Sequence, residues 1–134
     1  MSNSKPTVVV VDDSLSVRVF FERVAEKLDV NLEMFASAAE ALPYLSKNTP
    51  QLLFLDIIMP DKDGLTFLQE LRRMPEHSDT PTVVISSKDY AQDRIASKEL
   101  GALEFVAKPM STKTIETLIV NLTDTASATP TADE

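Results

Sequence analysis

The chain has 134 residues, 43% of them hydrophobic and 25% charged, which suits one folded domain with a real core and leaves no length for a second catalytic or DNA-binding domain. Its 13 basic and 21 acidic residues give a net charge of −8, the wrong sign for following a phosphate backbone, so direct nucleic-acid binding is not expected. With no cysteine and one histidine, disulfides, thiolate metal sites and multi-histidine metal sites are excluded, and any site must be built from oxygens.

Met1 to Thr7 carries Lys5 and Pro6 but no signal-peptide pattern, and no apolar run has transmembrane length, so a cytoplasmic protein with no membrane partner is expected. Thr7 to Val11 is a continuous β-branched run, the pattern of a strand buried on both faces of a parallel sheet, and it stops at Asp12-Asp13. After a Ser14 cap, Val17, Phe20, Phe21, Val24 and Leu28 recur at helical spacing between charged positions such as Arg18 and Glu22. A short strand from Leu32 to Phe35 leads to a second helix opened by the capping box Ser37-Ala38-Ala39-Glu40, with Pro43 expected to kink or weaken it. Gln51 to Leu55 is a third strand ending in Asp56. After Pro60 and Gly64 a helix carries Leu65, Leu68 and Leu71, and Pro75 ends it.

The fourth strand, Thr82 to Ile85, runs into Ser86-Ser87. The helix that follows, about Tyr90 to Leu100, has a thin stripe of Ala91, Ile95 and Leu100 before Gly101 stops it, so it should be the least anchored. Glu104 to Ala107 is a fifth strand, and Ile115, Leu118, Ile119 and Leu122 line a last helix capped by Ser111. Residues 1–122 thus form the domain. Residues 123–134 hold no aromatic or large aliphatic side chain to offset the entropy of ordering and read as a disordered tail or the start of a linker. Strictly alternating strands and helices at this length imply an α/β fold, an open doubly wound five-stranded parallel sheet with helices on both faces. Such sheets bind ligands at the carboxyl ends of their strands, where the strand order reverses.

Four strands deliver reactive types to that edge: Asp12 and Asp13, Asp56, Ser86 and Lys108. Any one alone has a structural explanation, as a helix cap, a loop hydroxyl or a solvated cation. Together they do not, because three carboxylates on one edge repel unless a cation joins them, and oxygen-only ligands at an open edge suit Mg²⁺. A carboxylate is the one candidate nucleophile that needs no base at neutral pH, and Asp56 fits best. A metal held by Asp13 and Asp56 could neutralise a phosphoryl group arriving at Asp56, with Lys108 and the Ser86 hydroxyl on its other oxygens. His77, in a polar loop after Pro75, reads as solvated rather than as a phosphoacceptor, and Met59 as packing.

From Pro6 to Leu122 the chain resembles the receiver domains of two-component response regulators. The resemblance is carried by Val10-Val11-Asp12-Asp13-Ser14, Leu55-Asp56-Ile57-Ile58-Met59-Pro60 with Asp63-Gly64, Val84-Ile85-Ser86, and Gly101-Ala102 through Phe105 to Lys108-Pro109. It implies a flavodoxin-like (βα)5 fold with strand order 2-1-3-4-5 and a cis Lys108-Pro109 peptide. It further implies that Asp56 is the phosphoacceptor, that Asp13, Asp56 and the Ile58 backbone carbonyl bind Mg²⁺, that Asp12 acts through a bound water, and that Ser86 and Phe105 move together on phosphorylation. Ile58 and Lys88 would flank the approach of the hydrolytic water, which predicts slow self-dephosphorylation. The implied partners are a histidine kinase or phosphotransfer protein and an unknown output protein bound through the fourth helix, fifth strand and fifth helix.

Two other readings compete with a stand-alone switch. A receiver excised from a larger hybrid kinase or multidomain regulator would have the same sequence. A Mg²⁺-dependent phosphatase of the haloacid dehalogenase type needs a second Asp two positions after the nucleophile, where this chain has Ile58, so an enzyme with turnover is disfavoured.

Overall fold

The computed structural model describes residues 5–123. Three strands are buried along their whole length or nearly so: β1 (Thr7–Val11), β3 (Leu52–Asp56) and β4 (Thr82–Ser86). The two others, β2 (Asn31–Phe35) and β5 (Glu104–Ala107), mix exposed and half-buried positions. That difference sets their places: the sheet is parallel throughout, in the order β2-β1-β3-β4-β5, with the continuous apolar runs inside and the mixed strands at the edges. The order reverses between β1 and β3, so the ends of these two strands form the crevice of the doubly wound fold.

Alternate residues of each inner strand feed opposite cores. Val9, Val11, Leu53, Leu55 and Val84 meet α2 (Ala38–Leu45) and α3 (Gly64–Arg72) through Ala38, Ala41, Leu45, Phe67, Leu68 and Leu71. Val8, Val10, Leu52, Phe54, Val83 and Ile85 meet α1 (Leu15–Glu26) and α5 (Thr112–Thr123) through Phe21, Val24, Ala25, Ile115 and Ile119. The period of two along the strands matches one apolar stripe per helix, which is why the sheet needs helices on both faces.

Helix α4 (Ala91–Glu99) buries only Ser97, and Ile95 on its stripe is 59% exposed. The weak anchorage expected from its sequence is therefore real. Its end is sharply defined: Gly101, at φ 85°, lets Ala102 N–H reach the Ser97 carbonyl and Gly101 N–H the Lys98 carbonyl, both at 2.9 Å. Ser14, Ser37 and Ser111 cap α1, α2 and α5 as their positions predict. Pro43 stays inside α2, which ends two residues later; the backbone bond it forfeits is to the Ala39 carbonyl, and its ring is exposed.

Three expectations from the sequence need correction. His77 is not solvated: it is fully buried in a 3-10 turn (Pro75–His77), with Nε2 donating to the Leu45 carbonyl at 2.6 Å and Nδ1 2.9 Å from the Thr80 hydroxyl. With both ring nitrogens partnered, burial costs the imidazole little. Asp56 and Ser86 are the last residues of β3 and β4 rather than the first beyond them, because the ladder continues through Ile57 N–H to Ile85 O and Lys108 N–H to Ser86 O. Thr123 belongs to α5, its hydroxyl donating to the Ile119 carbonyl at 2.5 Å. The rest of the expected tail, 124–134, lies outside the described residues.

Candidate functional site: an acidic crevice at the carboxyl edge

The ends of β1 and β3 lie side by side, so Asp56, the last residue of β3, meets Asp12 and Asp13 just beyond β1, with a carboxylate oxygen of each within 4.8 Å of the others. Asp12 is fully buried and Asp56 is 2% exposed, whereas Asp13 faces solvent. Three hydrogen bonds hold Asp12 in place. Its N–H donates to Phe35 O, its carbonyl accepts from the Arg18 guanidinium at 2.7 Å, and its Oδ1 accepts from Ser14 N–H at 2.8 Å.

Lys108 reaches over from the end of β5, its Nζ lying 2.8 Å from Asp12 Oδ2 and 3.3 Å from Asp56 Oδ1. These two oxygens are buried and receive no well-aligned hydrogen bond, since one ammonium at the edge of the crevice is shared between them. Burial and then the neighbouring Asp12 charge push the Asp56 pKa up from 3.8 to about 6, against the opposing pull of Lys108 and the Ile58 amide. For Lys108, burial alone would lower the pKa, but Asp12 and then Asp56 reverse that, and it is raised. The crevice is thus short of positive charge: among the described residues Lys108 alone forms ion pairs with its three clustered carboxylates. That donor set fits a hard divalent cation.

The other residues singled out by sequence surround this cluster. Ser86 is fully buried at the end of β4, its Oγ accepting from Lys88 N–H at 3.1 Å. Lys88 itself is exposed. Ile58, 47% exposed, sits in the loop after Asp56, and the buried Met59 beside it packs into the core. Gly64 closes that loop because a Cβ there would overlap the Asp56 carbonyl. The Lys108-Pro109 peptide is cis. Phe105 is half-buried on β5, and Arg94 of α4 lies over its ring at 4.6 Å, held by a two-pronged ion pair to Asp89 at 2.6 and 3.0 Å. Arg18 and Arg94 were not legible as site neighbours, since in sequence each is one more charged residue on the polar side of a helix.

The sequence matches the family model described as response regulator receiver domain over residues 8–120. The chain belongs to this family. The family is that of the phosphoacceptor receiver domains of two-component systems. The chain is 35% identical over 122 residues to the probable transcriptional regulator ycf27 of Cyanophora paradoxa, covering 91% of this chain and 50% of that protein. It spans about half the length of the first curated relatives it matches. Among solved structures it superposes on chemotaxis protein CheY4 of Vibrio cholerae with a TM-score of 0.82 at 23% identity, covering 89% of this chain and 99% of the other. It also superposes on the Mn²⁺-bound form of response regulator Rcp1, with a TM-score of 0.80 at 22% identity and coverage of 96% and 99%. At these identities the two structures establish the CheY-like fold, as expected from the sequence. Among the described residues no helix is long and apolar enough to cross a membrane.

Proposed function

We propose that this receiver is a phosphorylation switch in which Asp56 takes a phosphoryl group from a histidine kinase or phosphotransfer protein. The observation that carries the reading is the juxtaposition of a nearly buried, under-neutralised Asp56 with Asp12, Asp13 and the Lys108 ammonium. Asp13, Asp56 and the Ile58 carbonyl would hold Mg²⁺ directly and Asp12 through a water. The clustering of three carboxylates with one lysine to neutralise them supports that assignment, and the structural relative Rcp1 is known in a Mn²⁺-bound form. When bound, the ion supplies charge neutralisation for the carboxylates and for the arriving phosphoryl oxygens.

In the transfer, an Asp56 carboxylate oxygen forms a bond to phosphorus as the donor's P–N bond breaks and the imidazole leaves. Lys108, already 3.3 Å from Asp56, binds a phosphoryl oxygen. The Ser86 hydroxyl, engaged by the Lys88 amide at rest, turns to another, and Phe105 follows it inward. The signal leaves through α4, β5 and α5, because α4 is the helix with least to lose on shifting. The output partner, a separate protein or a domain attached to the same polypeptide, meets this face. Ile58 offers no hydrogen bond to an incoming water and Lys88 while charged accepts no proton from it, so the phosphoryl group is lost slowly and the chain acts as a switch rather than an enzyme. A cytoplasmic location accords with such a partner set.

Incubation with acetyl phosphate and Mg²⁺, followed by removal of the donor, tests this. The switch binds at most one phosphoryl group per chain and releases it slowly; sustained release of many phosphates per chain would make it a phosphatase.

A further inference from the structure

We propose that Asp61 is the positioning residue of the phosphorylation loop, holding residues 57–63 against the N-terminus of α2 so that the Ile58 carbonyl stays aimed at the metal. The inference rests on the function proposed above and goes beyond it by assigning a role to a side chain outside the acidic cluster.

The loop between β3 and α3 is pinned firmly at its two ends. Ile57 N–H donates to Ile85 O at 3.0 Å, Gly64 N–H to Ile57 O at 2.7 Å, and the Asp63 carboxylate caps α3 by accepting from Leu65 N–H at 2.6 Å. Between them Met59 packs into the core while Ile58, Pro60 and Asp61 are exposed, so packing anchors one side chain of this stretch and leaves the rest to other contacts. A polar contact gives the stretch its second anchor: Asp61 Oδ2 accepts from the backbone N–H of Ala39, 22 residues earlier in the chain, at 3.0 Å. Ala39 lies in the first turn of α2, where N–H groups lack helical partners and the helix dipole favours an anion. That hydrogen bond is also the main reason the Asp61 carboxyl is held below its ordinary pKa, so it stays ionised wherever Asp56 can react.

Helix α2 is a sound anchor for this purpose. Ala38, Ala41 and Leu45 are buried in the core, and its N-terminus is independently closed by Ser37 Oγ accepting from Glu40 N–H and by Glu40 accepting from Ala36 N–H. On the other side of the loop Lys62 pairs with Glu70 of α3 at 2.7 Å. The loop is therefore strung between two helices, and Asp61 is its tie to α2. Losing that tie would leave Met59 as the main anchor of the exposed stretch that carries the Ile58 carbonyl, loosening it while leaving the core intact. Groups that orient a metal ligand from outside its coordination sphere commonly change affinity by about tenfold or more, and an exposed tie belongs at the weak end of that range.

The test compares the wild type with Asp61→Ala, Asp61→Asn and Ser37→Ala, measuring Mg²⁺ binding by titration calorimetry and Asp56 labelling by acetyl phosphate across a range of Mg²⁺. Asp61→Ala is expected to raise the Mg²⁺ dissociation constant roughly three- to tenfold and to slow labelling at low Mg²⁺, with recovery at saturating Mg²⁺. Asp61→Asn, which keeps an acceptor oxygen, should stay within about twofold of wild type. Ser37→Ala removes a neighbouring cap of α2 without touching the loop and should leave Mg²⁺ binding unchanged. Wild-type affinity in Asp61→Ala overturns the proposal. So does an equal loss in Ser37→Ala, which would mean fraying of α2, or in Asp61→Asn, which would mean charge alone. A wild type that binds Mg²⁺ but is not labelled refutes the phosphoacceptor role and leaves the calorimetric comparison decisive for Asp61; a wild type that binds no Mg²⁺ refutes both.

Discussion

Asp56→Asn should make the protein more stable, because a group kept for chemistry is held where folding alone would not put it. At neutral pH the wild type buries an ionised carboxylate, 2% exposed, beside the Asp12 carboxylate and only partly compensated by Lys108. A pKa raised from 3.8 to about 6 penalises the ionised form in the folded state by about 3 kcal/mol, taken as an upper figure. Between these two values the folded protein keeps a proton that the unfolded chain has released. Stability from this group is therefore fully present below pH 3.8, lost as the pH rises through about 6, and flat above. Asparagine reproduces the shape of the neutral acid and does not titrate. Urea unfolding of both proteins in EDTA from pH 4.5 to 8 should show a small gap at the acid end. Above pH 7 the mutant should be more stable by about 1–3 kcal/mol. Adding Mg²⁺ should then narrow the gap by stabilising the wild type alone. A mutant less stable than wild type at pH 7.5, or a gap that does not change with pH, would refute the claim that Asp56 is electrostatically strained at rest.

Three further outcomes follow from particular residues. Ile58→Asn gives the hydrolytic water a hydrogen-bonding neighbour and should speed phosphate loss severalfold, on the order of the effects that positioning produces; release measured after donor removal checks this, and an unchanged or slower rate counts against it. His77→Ala takes the ring partner from the Leu45 carbonyl, leaves the Thr80 hydroxyl only its longer bond to the Glu76 carbonyl, opens a cavity, and should cost about 2–4 kcal/mol in urea unfolding, with a loss under about 0.5 kcal/mol showing that the buried imidazole does not brace the fold. Amide exchange with and without beryllofluoride should change in α4, β5, α5 and the loops of the crevice; changes confined to α1 and α2 would place the signalling face elsewhere.

The parts of this architecture written locally were legible in the sequence. Val8 to Val11, Leu52 to Leu55 and Val83 to Ile85 are apolar on both faces and stop at polar residues, so the inner strands and the edge where Asp12, Asp56 and Ser86 gather could be read from pattern alone. The poor anchorage of α4 was legible for the same reason, as a stripe too thin to bury. What was not legible depends on partners far along the chain. His77 looks like any polar loop residue until the Leu45 carbonyl, 32 residues away, takes its Nε2–H. Arg18 and Asp61 read as surface charges because their partners are backbone groups, which carry no sequence signal. Arg72 is a similar case: it ties α3 to the Leu100, His77 and Thr80 carbonyls, acceptors that any residue type would supply.

The central claim, that Asp56 itself receives the phosphoryl group in a Mg²⁺-dependent reaction, is tested most directly by intact-protein mass spectrometry after acetyl phosphate treatment. The wild type should gain one phosphoryl group with Mg²⁺ and none in EDTA, and Asp56→Asn should gain none in either condition. Equal labelling of the mutant, or labelling of the wild type that EDTA does not prevent, would contradict the account.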